Sequence, residues 1–308
     1  MATAAEERLS TTISVAAIGF WAKHTRSRDR MLPKHHDEMK LGKPKGKPKK
    51  SSSASKQGKT ARWRASQRQK CKMTDIDIIP VQRLDFHVFP LPWPFAADRR
   101  AEIEDYFTHL RRGKPELWNG RVLLLRNFEI SDATLRGALF ETDYASYIAW
   151  RDWGFPDRDV RACFAMGALL SRDGAFLLGV MNTHTAGAGR IYFPSGMPDP
   201  RDVVCDRVDF DRNVRREIAE ETGLSLDGVT ADPWFLVLAQ QRVALIRVFR
   251  FRKVASEMRA SILDHLQNEA LPELSDVHIV RDPSDFKPRM LPFVRAFLLH
   301  FWDCDRER

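Results

Sequence analysis

The sequence predicts an α/β fold, of the α+β kind, behind a long basic extension. Three observations lead there. Composition changes abruptly near residue 72. Beyond it, apolar stretches bounded by turn residues alternate with stretches of helical period. The later elements run strand, strand, strand, helix, strand, strand, helix, with a smaller mixed unit in front of them.

Of the 308 residues, the first 72 carry 19 Lys+Arg against 5 Asp+Glu, and the remainder carry 31 against 36. The formal charge of +9 therefore belongs to the first quarter alone. Residues 40–72 are rich in Lys, Ser, Gly and Pro with almost no apolar content, so residues 1–74 are expected to be a disordered basic extension. It is expected either to be a solvated tail without a partner or to precede a true start at Met73, where ordinary composition resumes. A nucleic-acid or anionic-lipid contact would have to run through this tail, because the rest is net negative. The four cysteines form no CxxC pair, which removes zinc and dithiol chemistry and suits a reducing, cytoplasmic setting. No apolar run reaches the roughly 18–20 residues of a membrane span. The nearest, residues 11–21, lacks the flanks of a secretion signal.

Residues 75–158 are expected to form a small α+β unit, and 159–302 the main domain. In the first, FHVFPLPWPF (86–95) is extended and punctuated by proline. Residues 96–110 read as a short helix, and 117–130 as a strand or hairpin turning at Asn119-Gly120. Residues 131–139 and 143–153 read as a helical stretch rich in aromatic residues. In the second, ACFAMGALLS (162–171) and AFLLGVM (175–181) form a buried hairpin around Asp173-Gly174. THTAGAGR (183–190) is a loop, and IYFPSG (191–196) a short strand entering a turn. Residues 213–222 form an acidic helix capped by Gly223 in the left-handed region. Residues 234–239 and 243–251 are strands, and 254–268 and 292–302 are helices.

The stretch REIAEETGL (216–224) carries the chemistry. It places Glu217, Glu220 and Glu221 at i, i+3 and i+4, one face of one helical turn. Like charges at that spacing repel by roughly 0.2–0.5 kcal/mol per pair. A hard divalent cation such as Mg²⁺, which takes carboxylate and phosphate oxygens, would turn that repulsion into attraction. Arg216 is placed to steady one of the carboxylates.

Position for position, REIAEETGL resembles the end of the Nudix signature, G-x5-E-x7-R-E-U-x-E-E-x-G-U, where U is aliphatic. A chance match at seven such positions is expected on the order of once in 10⁴–10⁵ sequences. YFPSG (192–196) is similar to the strand and turn that lead into the Nudix loop, and 166–181 to the first strands. The resemblance covers about 160–302. It implies a mixed sheet sandwiched between helices, and Mg²⁺- or Mn²⁺-dependent hydrolysis of a diphosphate in a nucleoside diphosphate derivative. It implies that Glu217, Glu220 and Glu221 ligate the metal, that Gly196 offers its carbonyl, and that Arg216 orients a ligand carboxylate.

The chain departs from the signature in two ways. Nineteen residues separate Gly196 from Arg216 where the pattern has 13, and Val208 stands eight positions before Arg216 in place of the signature glutamate. Asp199, Asp202, Asp206, Asp209 and Asp211 lie in the interval. Asp209 suits a helix cap, and one of the others could replace the absent carboxylate. Glu269 and Glu273 are candidates for a further ligand or general base, against the simpler reading of solvated acids. Trp118, Tyr144, Tyr147, Trp150 and Trp153 would stack a nucleobase or fill a core, and the core reading carries more weight. LWNG and residues 144–155 are weakly similar to the front region of Nudix proteins acting on nucleotide sugars. His184 is given no role beyond the nearness of its loop to substrate.

Three functional readings follow. The first is a Mg²⁺-dependent pyrophosphohydrolase of a small nucleotide substrate, a nucleotide sugar among the candidates. The second is a catalytically weak nucleotide-binding or regulatory module, favoured by Val208. The third is an RNA 5′-end pyrophosphohydrolase anchored by the tail. A homodimer is compatible with all three.

Overall fold

A computed structural model describes residues 76–306 of the chain. The expectations for the 1–74 extension and for Met73 lie outside these residues. The fold has two sheets and, among the described residues, six α-helices.

The large sheet holds β5 (Ala162–Leu170) and β6 (Phe176–Met181), β11 (Thr230–Ala239) and β12 (Arg242–Arg250), β13 (Leu274–Val280) and β1 (Ile76–Val81). Their order is β1-β11-β12-β5-β6-β13. The short strands β7 (Ile191–Tyr192) and β8 (Ser195–Gly196) pair with β6 and β5. The sheet is mixed, because β12 and β5 run parallel while the other pairs are antiparallel. Along β5 the side chains alternate between two cores. Cys163, Ala165 and Leu169 face helices α4 (Phe210–Thr222) and α5 (Ala255–Asn268), whereas Met166, Ala168 and Leu170 face α6 (Pro292–Arg306). The α/β/α sandwich with a mixed sheet therefore stands. A continuous apolar run such as ACFAMGALL is what burial on both faces requires.

The second sheet has the order β3-β4-β2-β10-β9, from β2 (Arg83–Val88), β3 (Arg121–Ser131), β4 (Thr134–Asp143), β9 (Val203–Val204) and β10 (Arg207–Val208). One face, with Phe86, Leu123, Leu125, Leu135 and Leu139, merges into the core beneath α4. The other is covered by α1 (Pro94–Asp98) and α3 (Tyr144–Asp152) around Trp93, Phe140 and Trp150, and α2 (Arg100–Gly113) packs on α3.

The strands do not respect a boundary at 158/159. Strand β1 pairs with β11 along Ile76–Val81, and β10 pairs with β2 at Arg207 and His87. The described residues, 76–306, belong to one compact unit. The large-sheet edge position of β1 depends on backbone pairing across the whole chain, which no local pattern announces.

Local expectations held where capping and turn chemistry decide. Asp209 caps α4 as expected, accepting from Arg212 N at 2.9 Å, and Asp143, not singled out in the sequence, caps α3 by accepting from Ser146 N at 2.8 Å. Gly223 ends α4 at φ 64° and Gly174 turns the β5–β6 hairpin at φ 77°. Two expectations need correction. Residues 131–139 are not helical. They turn through Asp132 and Ala133, at φ 50° and 53°, into β4, and cross-strand pairing with β3 overrides the i, i+4 spacing of Leu135 and Leu139. Asn119-Gly120 is not a hairpin turn. Asn119 Oδ1 accepts from Ala145 N at 2.8 Å and Gly120 O from Tyr144 N at 2.8 Å, which fixes the start of α3 instead. Strand β13 went unread because LSDVHIV alternates burial only weakly.

Candidate active site

Helix α4 lays its apolar stripe, Phe210, Val214 and Ile218, on the large sheet. Gly167 in β5 permits the approach, since a Cβ there would collide with Ile218. This contact fixes the rotation of the helix, and the rotation decides how the three glutamates differ.

Glu221 points inward and is 4% exposed. Its Oε1 accepts from Ser195 N at 2.8 Å, while its Oε2 is buried without a partner. Burial holds its pKa well above the ordinary carboxylate range. Glu217, one turn earlier and about 40° away around the axis, lies against Gly196, where any Cβ would strike the carboxylate. Its Oε1 is 2.8 Å from Arg216 Nη1. Burial outweighs that ion pair and lifts its pKa to about 7, with Glu220 and Glu273 adding like charge. Glu220 is half-exposed and turned to Arg216 Nη1 at 3.0 Å.

Glu273, just before β13, is the late carboxylate that reaches the cluster. It is pushed up by burial and then by the charge of Glu220, and it lines a cavity of about 470 Å³ with His184, Tyr192 and Ser195. Glu269 is paired with His265, 3.4 Å from its Nε2, and the same ring lies 3.1 Å from Glu220 O at the end of the acidic turn.

In the interval between Gly196 and Arg216, one aspartate meets Arg216. Asp202 is 1% exposed and accepts from Asn213 Nδ2 at 2.9 Å, from Asp199 N at 3.2 Å and from Arg216 Nη2 at 3.2 Å. The other four aspartates are committed away from Arg216. Asp199 caps a turn and pairs with Arg201, Asp206 meets His87 at the surface, Asp209 caps α4, and Asp211 pairs with Arg215 and Arg247. Counted forward from Gly196, Asp202 sits where the signature has its glutamate. The extra residues follow it as the hairpin β9–β10, turning at Cys205 (φ 61°) and added to the second sheet. Counting back from Arg216 had landed on Val208, which is a buried residue of the added hairpin.

Of the aromatic candidates, Trp150 is core, and Trp153 packs between Phe95 and Tyr106 under Arg99. Tyr144 and Tyr147 line a cavity of about 230 Å³ that adjoins Ser195 and Gly196. Trp118, 80% exposed, edges the larger cavity. Sequence reasoning missed Arg151, Arg190 and Arg242, which line the smaller cavity from three separate elements. No local signal marked them.

Among the described residues no three carboxylate, His or Cys side chains already converge as a metal site. The donors nonetheless fit a hard divalent cation. Glu221 Oε2 is an orphaned buried acceptor, the Glu217 carboxylate is packed against the glycine backbone, and Glu220 is on the same helical face, held off by Arg216. No helix among the described residues is long and apolar enough to cross a membrane.

The chain resembles the Nudix hydrolase superfamily in its 216–224 turn, in the helix that carries it and in the mixed sheet beneath. No family model and no curated protein matches the sequence. Similar solved structures include the Nudix hydrolase RenU from M. smegmatis, at 12% identity and a TM-score of 0.33, covering 48% of this chain and 86% of that one. The MutT protein from Methanosarcina mazei Go1 is 16% identical with a TM-score of 0.32, over 48% of this chain and 96% of that one. The NUDIX domain of Shewanella oneidensis NrtR, solved with ADP ribose, is 15% identical with a TM-score of 0.31, over 48% and 89%.

Proposed function

We propose that the chain is a Mg²⁺- or Mn²⁺-dependent pyrophosphohydrolase that cleaves the diphosphate of a nucleoside diphosphate derivative. The observation that supports this reading above others is Glu221. A fully buried carboxylate with one oxygen on Ser195 N and the other without a partner costs several kcal/mol as a structural element. A cation beside Glu217 and Glu221 removes that cost.

In this reading Glu217, Glu220 and Glu221 hold the metal, with the Gly196 carbonyl. The bound metal supplies charge neutralisation of phosphoryl oxygens and a lowered pKa for a water. Arg216, anchored by Asp202, sets the position of Glu217 and holds Glu220, which would join the ligand set were a cation bound. Glu273, lifted by burial and lining the same cavity, is placed to take the proton of the attacking water. Tyr144 and Tyr147 offer faces and hydroxyls to the group beyond the diphosphate. Asp202 on Arg216 supports this reading over that of a catalytically weak module.

The test is a panel of nucleotide sugars, dinucleoside polyphosphates, NAD(H) and nucleoside triphosphates with Mg²⁺, scored for nucleoside monophosphate or phosphate release. Glu220→Gln and Glu221→Gln should each remove most turnover while the fold remains. Wild-type rates in both variants would refute the assignment.

A further inference from the structure

The carboxylate cluster lies on one side of Ser195 and Gly196, and these same residues border the cavity of about 230 Å³. That cavity has the opposite character. Its charged lining is Arg151 from α3, Arg190 from the loop before β7 and Arg242 from the start of β12, and no Asp or Glu lines it. Arg151 has one counter-charge, Asp152 at 2.7 Å. Among the described residues, Arg190 and Arg242 have no carboxylate within ion-pair distance. Arg242 lies over the Phe155 ring, 5.1 Å from its centroid, and also lines the cavity. Its pKa is held below the ordinary value, chiefly by burial, with Arg190 and Arg151 adding like charge.

Arg151 and Arg242 are half-buried and Arg190 adds its charge from an exposed loop, so three guanidiniums from elements far apart in sequence share one recess. Nothing in the packing requires them to converge. Their floor is Phe164 and Phe293, which would accept apolar neighbours equally well. An anion with several acceptor oxygens offsets their like charge, and planar forks suit phosphate geometry. A divalent-cation site and an arginine recess separated by two residues are complementary to successive phosphoryl groups of one ligand.

We propose that Arg151, Arg190 and Arg242 form a phosphoryl-binding subsite that works without the divalent cation. It deepens the pyrophosphohydrolase reading, and rests on it only for the statement that the bound phosphoryl group belongs to the substrate. The group is either the non-scissile half of the cleaved diphosphate or a phosphate further along the ligand.

Calorimetric titration with inorganic pyrophosphate in excess EDTA tests the subsite apart from catalysis. Wild type should bind, and Arg242→Gln and Arg190→Gln should each weaken binding about tenfold or more, near 1.4 kcal/mol. Arg242→Lys should retain part of the affinity, and Glu217→Gln should bind at least as well as wild type. Thermal melting identifies any variant that fails to fold, and Arg190, on an exposed loop, serves if Arg242 variants do. Absence of binding in wild type at millimolar pyrophosphate, or unchanged binding in folded arginine variants, overturns the proposal. Failure of the hydrolase reading would leave this titration intact. With Mg²⁺, a raised KM in Arg190→Gln for both a nucleotide sugar and a dinucleoside polyphosphate assigns the non-scissile phosphate, and a raised KM for the polyphosphate alone assigns a more distant one. Unchanged KM for both overturns the substrate assignment.

Discussion

Replacing Glu217 by Gln should stabilise the metal-free protein at alkaline pH while removing its response to divalent cations. The carboxyl is lifted from an ordinary 4.5 to about 7, first by burial and against the pull of Arg216. A folded value above the unfolded one means that the folded state favours the protonated form. The associated stability is complete below pH 4.5 and is lost as pH rises through about 7. At about 1.4 kcal/mol per pH unit, the ionised group costs roughly 3 kcal/mol at pH 8. Gln carries no charge, fits the same volume and leaves Arg216 on Asp202 and Glu220. Allowing for the lost ion pair, the variant should gain about 1–3 kcal/mol at pH 8 in EDTA. That is a Tm higher by roughly 3–10 °C for a domain of this size. The two proteins should converge below about pH 4.5. With Mg²⁺ at 100 times its Kd, wild type should gain about 2.7 kcal/mol and the variant far less. The assay is thermal melting across pH 4–9, with EDTA and with Mg²⁺. A variant that melts below wild type at pH 8 in EDTA, or a difference that does not change with pH, would refute the account of Glu217.

Further expectations concern the rest of the site. Asp202→Ala should destabilise by about 1–3 kcal/mol, since it leaves Asn213 Nδ2 without its partner in the interior and takes from Arg216 one of its three carboxylates, while Asp206→Ala, on an exposed carboxylate, should change melting little. In an alanine scan of Asp202, Asp206, Asp209 and Asp211, Asp202 should also give the largest kinetic loss, and four equal effects would mean that the hairpin is only a longer loop. Glu273→Gln should lower kcat by about 10²-fold or more with little change in KM, measured by steady-state kinetics, whereas Glu269→Gln should be near neutral. A chain beginning at Met73 should melt and turn over a small nucleotide substrate like the full chain, and a tenfold fall in kcat/KM at physiological salt would show that the tail reaches the site.

The sequence by itself determined what short-range chemistry controls. Asp209 caps its helix, Gly223 and Gly174 take positive φ, and the apolar run 162–170 becomes a strand buried on both faces. Each follows from side-chain hydrogen bonding, glycine sterics or periodicity within a few residues. The glutamates of 216–224 share a helical face for the same reason. Only the tertiary structure decided how they differ. The packing of Ile218 over Gly167 turns Glu221 inward and leaves Glu220 half-exposed, which no spacing rule specifies. Strand β1 joins β11 across more than 150 positions, and Arg207 of the added hairpin meets His87. Asp202 is singled out from five aspartates by its burial against Arg216 and Asn213. Arg151, Arg190 and Arg242 acquire a shared cavity only once α3, the β7 loop and β12 are assembled. These are long-range pairings, fixed by which surfaces exclude water together, and a linear reading of the chain contains no term for them.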